Sequence, residues 1–102
     1  MILTKVTGTT FKGRQEIIRG LQVNGQLEKD TIIRLERDPA CFFDENAQKC
    51  VVDGQVIGYL DRECAEIITA MADRGVQYVG IVDWIGFFKE QIGIRILLKR
   101  ID

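Results

Sequence analysis

Two residue types that commonly build catalytic and metal centres are absent or rare in this sequence. It contains no histidine, and its three cysteines, Cys41, Cys50 and Cys64, are an odd number without a CxxC pair. Histidine is the usual general base near neutral pH, and a tetrahedral zinc site needs four ligands. We therefore expect reduced, mostly buried thiols, no metal or other cofactor, and no enzymatic activity.

Long apolar runs and an excess of charge are also missing. No run approaches the ~20 apolar residues that cross a bilayer, and the first residues lack the pattern of a signal peptide. We therefore expect a cytoplasmic protein without a membrane partner. The 14 Lys and Arg residues nearly balance the 15 Asp and Glu residues. Any nucleic-acid site must therefore depend on a local surface rather than on net charge.

Short strand and helix patterns fill a chain whose length predicts a single domain over residues 1–102. Apolar residues at helical spacing predict two short helices, and β-branched or alternating segments predict six strands. The strands are expected at 2–10, 31–37, 48–52, 55–60, 77–85 and 92–101, and the helices at 14–22 and 61–74. The order β-α-β-β-β-α-β-β has too few crossovers for a parallel sheet. It predicts a mainly β (α+β) fold, with an antiparallel sheet or barrel and helices on the outside.

Turn and cap residues mark several ends of these elements. Asp53-Gly54 predicts a tight hairpin turn. Asp61 is a good N-cap for the second helix, since its carboxylate can accept from the free amides of the first turn. Gly75 is expected to adopt a left-handed conformation after that helix.

The only proline, Pro39, opens a polar loop, RDPACFFDENA, that contains two adjacent phenylalanines. Neighbouring side chains in an extended segment point to opposite sides. We expect Phe42 to be buried and Phe43 to be exposed; in the alternative, both rings are buried under the loop. Asp44 is either free for a ligand or accepts from the backbone amide two residues on, which closes an Asx turn.

Three segments around this loop resemble the HIRAN domain. They are VTGTTFKGRQE near the start, RDP followed by FDENA in the loop, and DGQVIGYL directly before the second helix. The similarity extends over about residues 4–101, and the chain resembles the stand-alone bacterial form. It implies a modified OB fold, here a small six-stranded antiparallel OB-like β-barrel with two short helices. In its best-understood members the domain grips the 3′ end of single-stranded DNA.

The resemblance also implies roles for individual residues in such a site. Phe43 would stack on the terminal base, and Asp44 would accept a hydrogen bond from the terminal 3′-hydroxyl. Tyr59 and Arg62 would contact the backbone or a phosphate. Phe11 would be a second stacking surface, unless it packs on the first helix as a staple.

Two positions depart from the family pattern. Some members have a basic residue where this chain has Thr10, and Lys12 and Arg14 are the nearby cations that can take its place. The branched aliphatic residue that usually follows Asn-Ala is Gln48 here. A further aromatic of the family site falls between the last two strands, where Trp84, Phe87 and Phe88 are the candidates.

The function implied by the resemblance is recognition of a free 3′-hydroxyl end of single-stranded DNA. A ring stacks on any base, whereas a carboxylate accepts from a hydroxyl and repels a phosphate. The resemblance further implies a role in DNA repair or replication-fork processing, with a helicase or nuclease acting in trans.

Two other function classes remain open from the residues alone. A protein-protein interaction or oligomerisation domain would use an apolar patch at the aromatic residues of the last two strands. An enzyme would need a divalent ion held by the carboxylates of Asp38, Asp44 and Glu45. The sequence does not indicate an oligomeric state.

Overall fold

Alternating apolar and polar side chains close six antiparallel strands into a barrel. The computed structural model describes residues 2–42 and 44–101. The elements of this part of the chain are β1 (Ile2–Thr7), α1 (Arg14–Val23), β2 (Ile32–Arg37), β3 (Gln48–Val52), β4 (Gln55–Leu60), α2 (Arg62–Ala72), β5 (Tyr78–Phe88) and β6 (Gln91–Arg100). The strands follow one another around the barrel in the order β1-β4-β3-β2-β5-β6, and β6 pairs with β1. The predicted mainly β fold and element order are confirmed.

The core lies inside the barrel and under the two helices. The inward-facing residues of β6, which alternate with exposed or half-buried ones, are Ile92, Ile94, Ile96 and Leu98. This period of two is typical of a strand with one face in the core. The helices cover the barrel with the buried residues Ile18 and Leu21 of α1 and Cys64, Ala65 and Ile68 of α2.

The cysteines are free thiols in different environments. Cys50 and Cys64 are buried, as expected, whereas Cys41 is half-buried in the loop after β2. Burial raises the pKa of the Cys50 thiol to about 12. This thiol therefore behaves as a small apolar core residue.

Two strand ends differ from the predicted ones by three residues, and the other strand bounds differ by at most one. β1 ends at Thr7 because Gly8 turns the chain with a φ of +68°. β5 continues to Phe88 because it stays paired with β6 as far as Gln91. The connecting turn, Lys89-Glu90, has positive φ at both residues, a geometry that is usually signalled by Asn or Gly. The predicted Asp53-Gly54 turn is confirmed, with φ values of +48° and +77°.

Asp61 is the N-cap of α2, as predicted, and it also joins this helix to β1. Its Oδ1 accepts from the amide of Cys64 (2.9 Å), and its Oδ2 accepts from the hydroxyl of Thr4 (2.8 Å). The bond from the Cys64 amide is the main reason that the pKa of Asp61 lies below its ordinary value of 3.8. At the other end, Gly75 follows the helix with a φ of +81°.

Of the helices in residues 2–42 and 44–101, neither has the length and apolar character of a membrane-spanning segment.

Replacing the N-cap is expected to destabilise the barrel. Asp61→Ala should lower the free energy of unfolding by about 0.5–2 kcal/mol, because the Cys64 amide loses its acceptor. The pKa of Asp61 is lowered by folding, so its contribution is fully present above the unfolded-state pKa and is lost as the pH falls through the folded-state pKa. Urea unfolding at neutral and acidic pH measures both effects.

The matched control is Glu66→Ala, which removes an exposed acid from the same helix and should change stability by less than about 0.5 kcal/mol. A difference between wild type and Asp61→Ala that stays constant down to strongly acidic pH would contradict the assignment of the cap.

Candidate nucleic-acid interface

A groove between the turn after β1, the loop after β2 and β4 collects aromatic and charged side chains. We call it the first groove; it is lined by Thr7, Phe11, Arg14, Asp38, Ala40, Cys41, Phe42 and Tyr59. Two of the sequence-predicted contact residues, Phe11 and Tyr59, are brought together here. Phe11 is 66% exposed, so it does not pack as a staple of α1.

Arg14 lies against both rings of the first groove. Its Cζ is 4.9 Å from the ring centroid of Phe11 and 5.1 Å from that of Tyr59, within the range of a cation–π contact. Its Nη1 donates to the carbonyl of Gly8 (3.0 Å). The guanidinium therefore joins the turn after β1 to the aromatic side chain of β4.

Gln15 fixes the start of α1 against the barrel. Its Nε2 donates to the carbonyls of Thr9 (3.0 Å) and Ile92 (3.1 Å), and its Oε1 accepts from the amide of Ile92 (2.8 Å). The turn that carries Phe11 and Arg14 is thereby anchored to the beginning of β6.

The close approach of β4 to β1 places Tyr59 in the first groove. Thr7 and Tyr59 are partners in the antiparallel register, and the Thr7 hydroxyl donates to the Tyr59 carbonyl (3.1 Å). Gly58 allows this contact, because a Cβ at this position would overlap the carbonyl oxygen of Thr7.

Asp38 is the carboxylate that lines the first groove. Its Oδ2 accepts from the hydroxyl of Tyr59 (2.7 Å), and its Oδ1 accepts from the amide of Ala40 (3.2 Å). The bond to Asp38 is the main cause, followed by burial, of a Tyr59 pKa above its ordinary value of 10.0, whereas the charge of Arg14 acts in the opposite direction. Sequence reasoning assigned no nucleic-acid contact to Asp38.

The loop after β2 corrects one prediction about the two adjacent phenylalanines. Phe42, which was expected to be buried, is fully exposed at 100% and lines the first groove. The loop leaves the barrel between Asp38 and Ala47, whose amide and carbonyl are joined (2.8 Å), and it does not carry Phe42 into the core. Phe43 lies outside the described residues.

Asp44 forms the Asx turn that was the alternative to a ligand contact. Its Oδ1 accepts from the amide of Asn46 (2.9 Å), and its carbonyl accepts from the amide of Ala47 (3.1 Å). Its Oδ2 has no hydrogen-bond partner among residues 2–42 and 44–101. Asp44 is not one of the residues that line the first groove.

Gln48 takes the place of an aliphatic residue without leaving a polar group unpaired. Its buried Nε2 donates to the hydroxyl of Thr69 (2.8 Å), which in turn donates to the carbonyl of Asn46 (3.0 Å). This chain of bonds ties the end of the loop to α2. The polar side chain that replaces the usual aliphatic residue is therefore hydrogen-bonded inside the fold.

The remaining predicted cations are exposed and are not among the residues that line the first groove. Lys12 is exposed in the turn before α1, and Arg62 is exposed at the first position of α2. In the described part of the chain, no group of three or more acidic or thiol side chains could hold a metal ion.

A second groove adjoins the first one at Thr7. Its lining residues are Lys5, Val6, Thr7, Gly8, Thr9, Trp84, Phe88, Gly93, Ile94 and Arg95. Of the three candidate aromatics, Trp84 and Phe88 line this groove, whereas Phe87 does not. Lys5, Arg95 and Trp84 are neighbours across three strands, because Arg95 is the register partner of both other residues.

Trp84 rests on the glycines of the β5–β6 ribbon. A Cβ at Gly86 would lie 2.6 Å from the Trp84 ring, and one at Gly93 would lie 3.6 Å from it. The ring remains 44% exposed. Because these glycines have no side chains, the Trp84 ring can lie close to the ribbon, and its outer surface remains accessible.

Neutralising the carboxylate that accepts from the Tyr59 hydroxyl is expected to lower the pKa of Tyr59. In a Tyr78→Phe background, Tyr59 is the sole tyrosine, and tyrosinate absorbance reports it directly. Asp38→Asn should bring the pKa down towards 10.0. Because folding raises this pKa, the stabilisation is fully present below 10.0 and is lost as the pH rises through the folded-state value.

Glu45→Gln, which removes an exposed acid of the same loop, should leave the Tyr59 titration close to that of the background protein. An unchanged pKa of Tyr59 in Asp38→Asn would contradict the role given to the Asp38 hydrogen bond.

Comparison with known proteins identifies the family. The family model "HIRAN domain" matches residues 1–99. The chain is similar in structure to a protein of Lactobacillus plantarum, with 21% identity, a TM-score of 0.79, and coverage of 98% of this chain and 91% of that one. It is also similar to the HIRAN domain of human HLTF, with 21% identity, a TM-score of 0.67, and coverage of 95% and 73%. No curated protein sequence gave a significant match. Since the family match extends over nearly all of its residues, the chain belongs to the HIRAN domain family.

Proposed function

We propose that this HIRAN domain binds single-stranded DNA and prefers an end with a free 3′-hydroxyl. The family is known as a nucleic-acid-binding module rather than a catalytic one, which supports binding without turnover. The observation that carries the proposal is the first groove, where the rings of Phe11 and Tyr59 lie beside a guanidinium and a carboxylate.

Stacking explains how a chain with a net charge of −1 binds a polyanion. Every base has a π-face, so an exposed ring binds it without reading sequence, at about 1–3 kcal/mol per base. Phe11, at 66% exposed, offers such a ring in the first groove. Affinity then depends on a local surface and not on a broad basic face.

The end preference is assigned to the loop after β2. In this proposal Phe43 stacks on the terminal base, and Asp44 accepts from the 3′-hydroxyl through Oδ2. The Asx turn leaves this oxygen without a partner in the described chain and fixes the direction of the carboxylate. A terminal phosphate, or a strand that continues, would place negative charge against Asp44 and be rejected.

The second groove extends the proposed path beyond the terminal nucleotides. It meets the first groove at Thr7, and it presents the rings of Trp84 and Phe88 beside the cations Lys5 and Arg95. Lys12 and Arg62, which are exposed and do not line the first groove, are proposed to attract phosphates at longer range.

The proposed cellular role is end recognition in DNA repair or replication-fork processing, with a helicase or nuclease acting in trans. A module that binds a free 3′-hydroxyl without cutting it would deliver that end to a separate enzyme. A protein-interaction role is the second candidate, and it is favoured by Phe87, which is 71% exposed and lies outside both grooves.

Asp44→Asn is expected to abolish the discrimination between strand ends. Fluorescence anisotropy with matched oligonucleotides, ending in a 3′-hydroxyl or a 3′-phosphate, measures it. The amide oxygen of Asn can still accept from the Asn46 amide, so the turn should persist while the negative charge is removed. The variant should bind both oligonucleotides with similar affinity.

The matched control for this experiment is Glu45→Gln, which removes the neighbouring exposed acid and should keep the wild-type preference. Equal affinity of the wild-type protein for the two ends would refute the proposed role of Asp44.

Phe11→Ala is expected to weaken binding of single-stranded DNA by about 5- to 150-fold, the equivalent of one lost base stack. The control is Phe87→Ala, which removes an equally exposed ring, 71% against 66%, from outside both grooves. Titration of a short oligonucleotide with each variant separates the two. Equal losses in both variants would show that binding is not localised to the first groove.

A further inference from the structure

Arg14 is a cation of unusual placement in this chain. It lies in the first groove with its Cζ near the ring centroids of both Phe11 and Tyr59. It makes no ion pair with any residue of 2–42 or 44–101. It is also the first residue of α1, where the helix dipole disfavours a positive charge. Among residues 2–42 and 44–101, no carboxylate lies within ion-pair distance of this charge, although Asp38 lines the same groove.

The hydrogen-bonding capacity of Arg14 is mostly unused. A guanidinium carries five N–H donors in a planar fork. Within the described residues, one hydrogen bond from this fork is present, from Nη1 to the carbonyl of Gly8 (3.0 Å). The side chain is half-buried in the groove, so the remaining donors are presented to whatever occupies it.

The two rings and the Gly8 carbonyl contact the guanidinium and position it in the first groove. The Cζ of Arg14 lies about 5 Å from the centroid of each ring, and Nη1 is the only donor of the guanidinium with a hydrogen-bond partner among the described residues. A planar guanidinium fork with unused donors matches the paired oxygens of a phosphodiester. Lysine would supply the charge but neither the fork nor the stacking surface.

We infer that Arg14 is the phosphate-binding residue of the first groove and contacts a phosphodiester close to the bound strand end. The inference rests on the proposed function. Arg14 then takes the place of the basic residue that some family members have where this chain has Thr10. The inference also separates Arg14 from Lys12 and Arg62, which lie outside the groove and contribute long-range attraction only.

The first test is the salt dependence of binding to an oligonucleotide with a free 3′-hydroxyl. Loss of one phosphate contact to a single strand should make the slope of log K against log salt concentration shallower by about 0.7. Arg14→Gln should show this change and bind about tenfold or more weakly at low salt. Arg14→Lys should keep the wild-type slope and bind several-fold more weakly, as expected when charge is retained and stacking is lost.

Arg19→Gln is the matched control, because it removes an exposed arginine of the same helix that lines neither groove. It should change the slope by much less than Arg14→Gln. Thermal unfolding of each variant confirms that the fold persists, and Arg14→Lys provides the comparison if the glutamine variant is unstable.

The second test locates the contact with neutral methylphosphonate linkages at each of the last three positions of the oligonucleotide. At one of them, neutralisation should weaken wild-type binding about tenfold and have little further effect on Arg14→Gln. Losses that simply add at all three positions would overturn the assignment of Arg14. A wild-type protein that binds no single-stranded DNA would instead overturn the proposed function itself, so the two failures are distinguishable.

Discussion

The close contact between β1 and β4 is the constraint on which the first groove depends. Gly58 lets the two strands approach because it has no Cβ to meet the Thr7 carbonyl. The pairing of Thr7 with Tyr59 then closes one side of the barrel. It also brings the ring of Tyr59 close to Arg14 and its hydroxyl to Asp38. One backbone contact therefore supports both the architecture and the proposed ligand site.

The elements of the fold could be predicted where local physics decides them. The period-two pattern of β6, the Asp53-Gly54 turn and the Asp61 cap each depend on a few neighbouring residues, and all three are present. The extension of β5 to Phe88 was missed because the Lys89-Glu90 turn carries no residue that favours positive φ. There the pairing with β6, rather than the turn sequence, determines the structure.

The first groove was predicted only in part, because its contacts join residues that are distant in sequence. Asp38 and Tyr59 are 21 positions apart, and their hydrogen bond depends on how β2 and β4 flank β3 in the barrel. Phe42 was expected to be buried on the basis of side-chain alternation, which applies to a paired strand and not to a loop that leaves the sheet. Phe11, by contrast, was found from the family motif and lies in the groove.

The loop between Asp38 and Ala47 is clamped at both ends. The amide of Asp38 is bonded to the carbonyl of Ala47, and the carbonyl of Asn46 is held by Thr69 of α2. Folding of the barrel already brings the two ends of the loop together, so the entropic cost of closing the loop belongs to folding and not to ligand binding. Under the proposed function, changes of sequence between the clamps alter the preference for strand ends without unpairing a strand, so this preference and folding are separately adjustable.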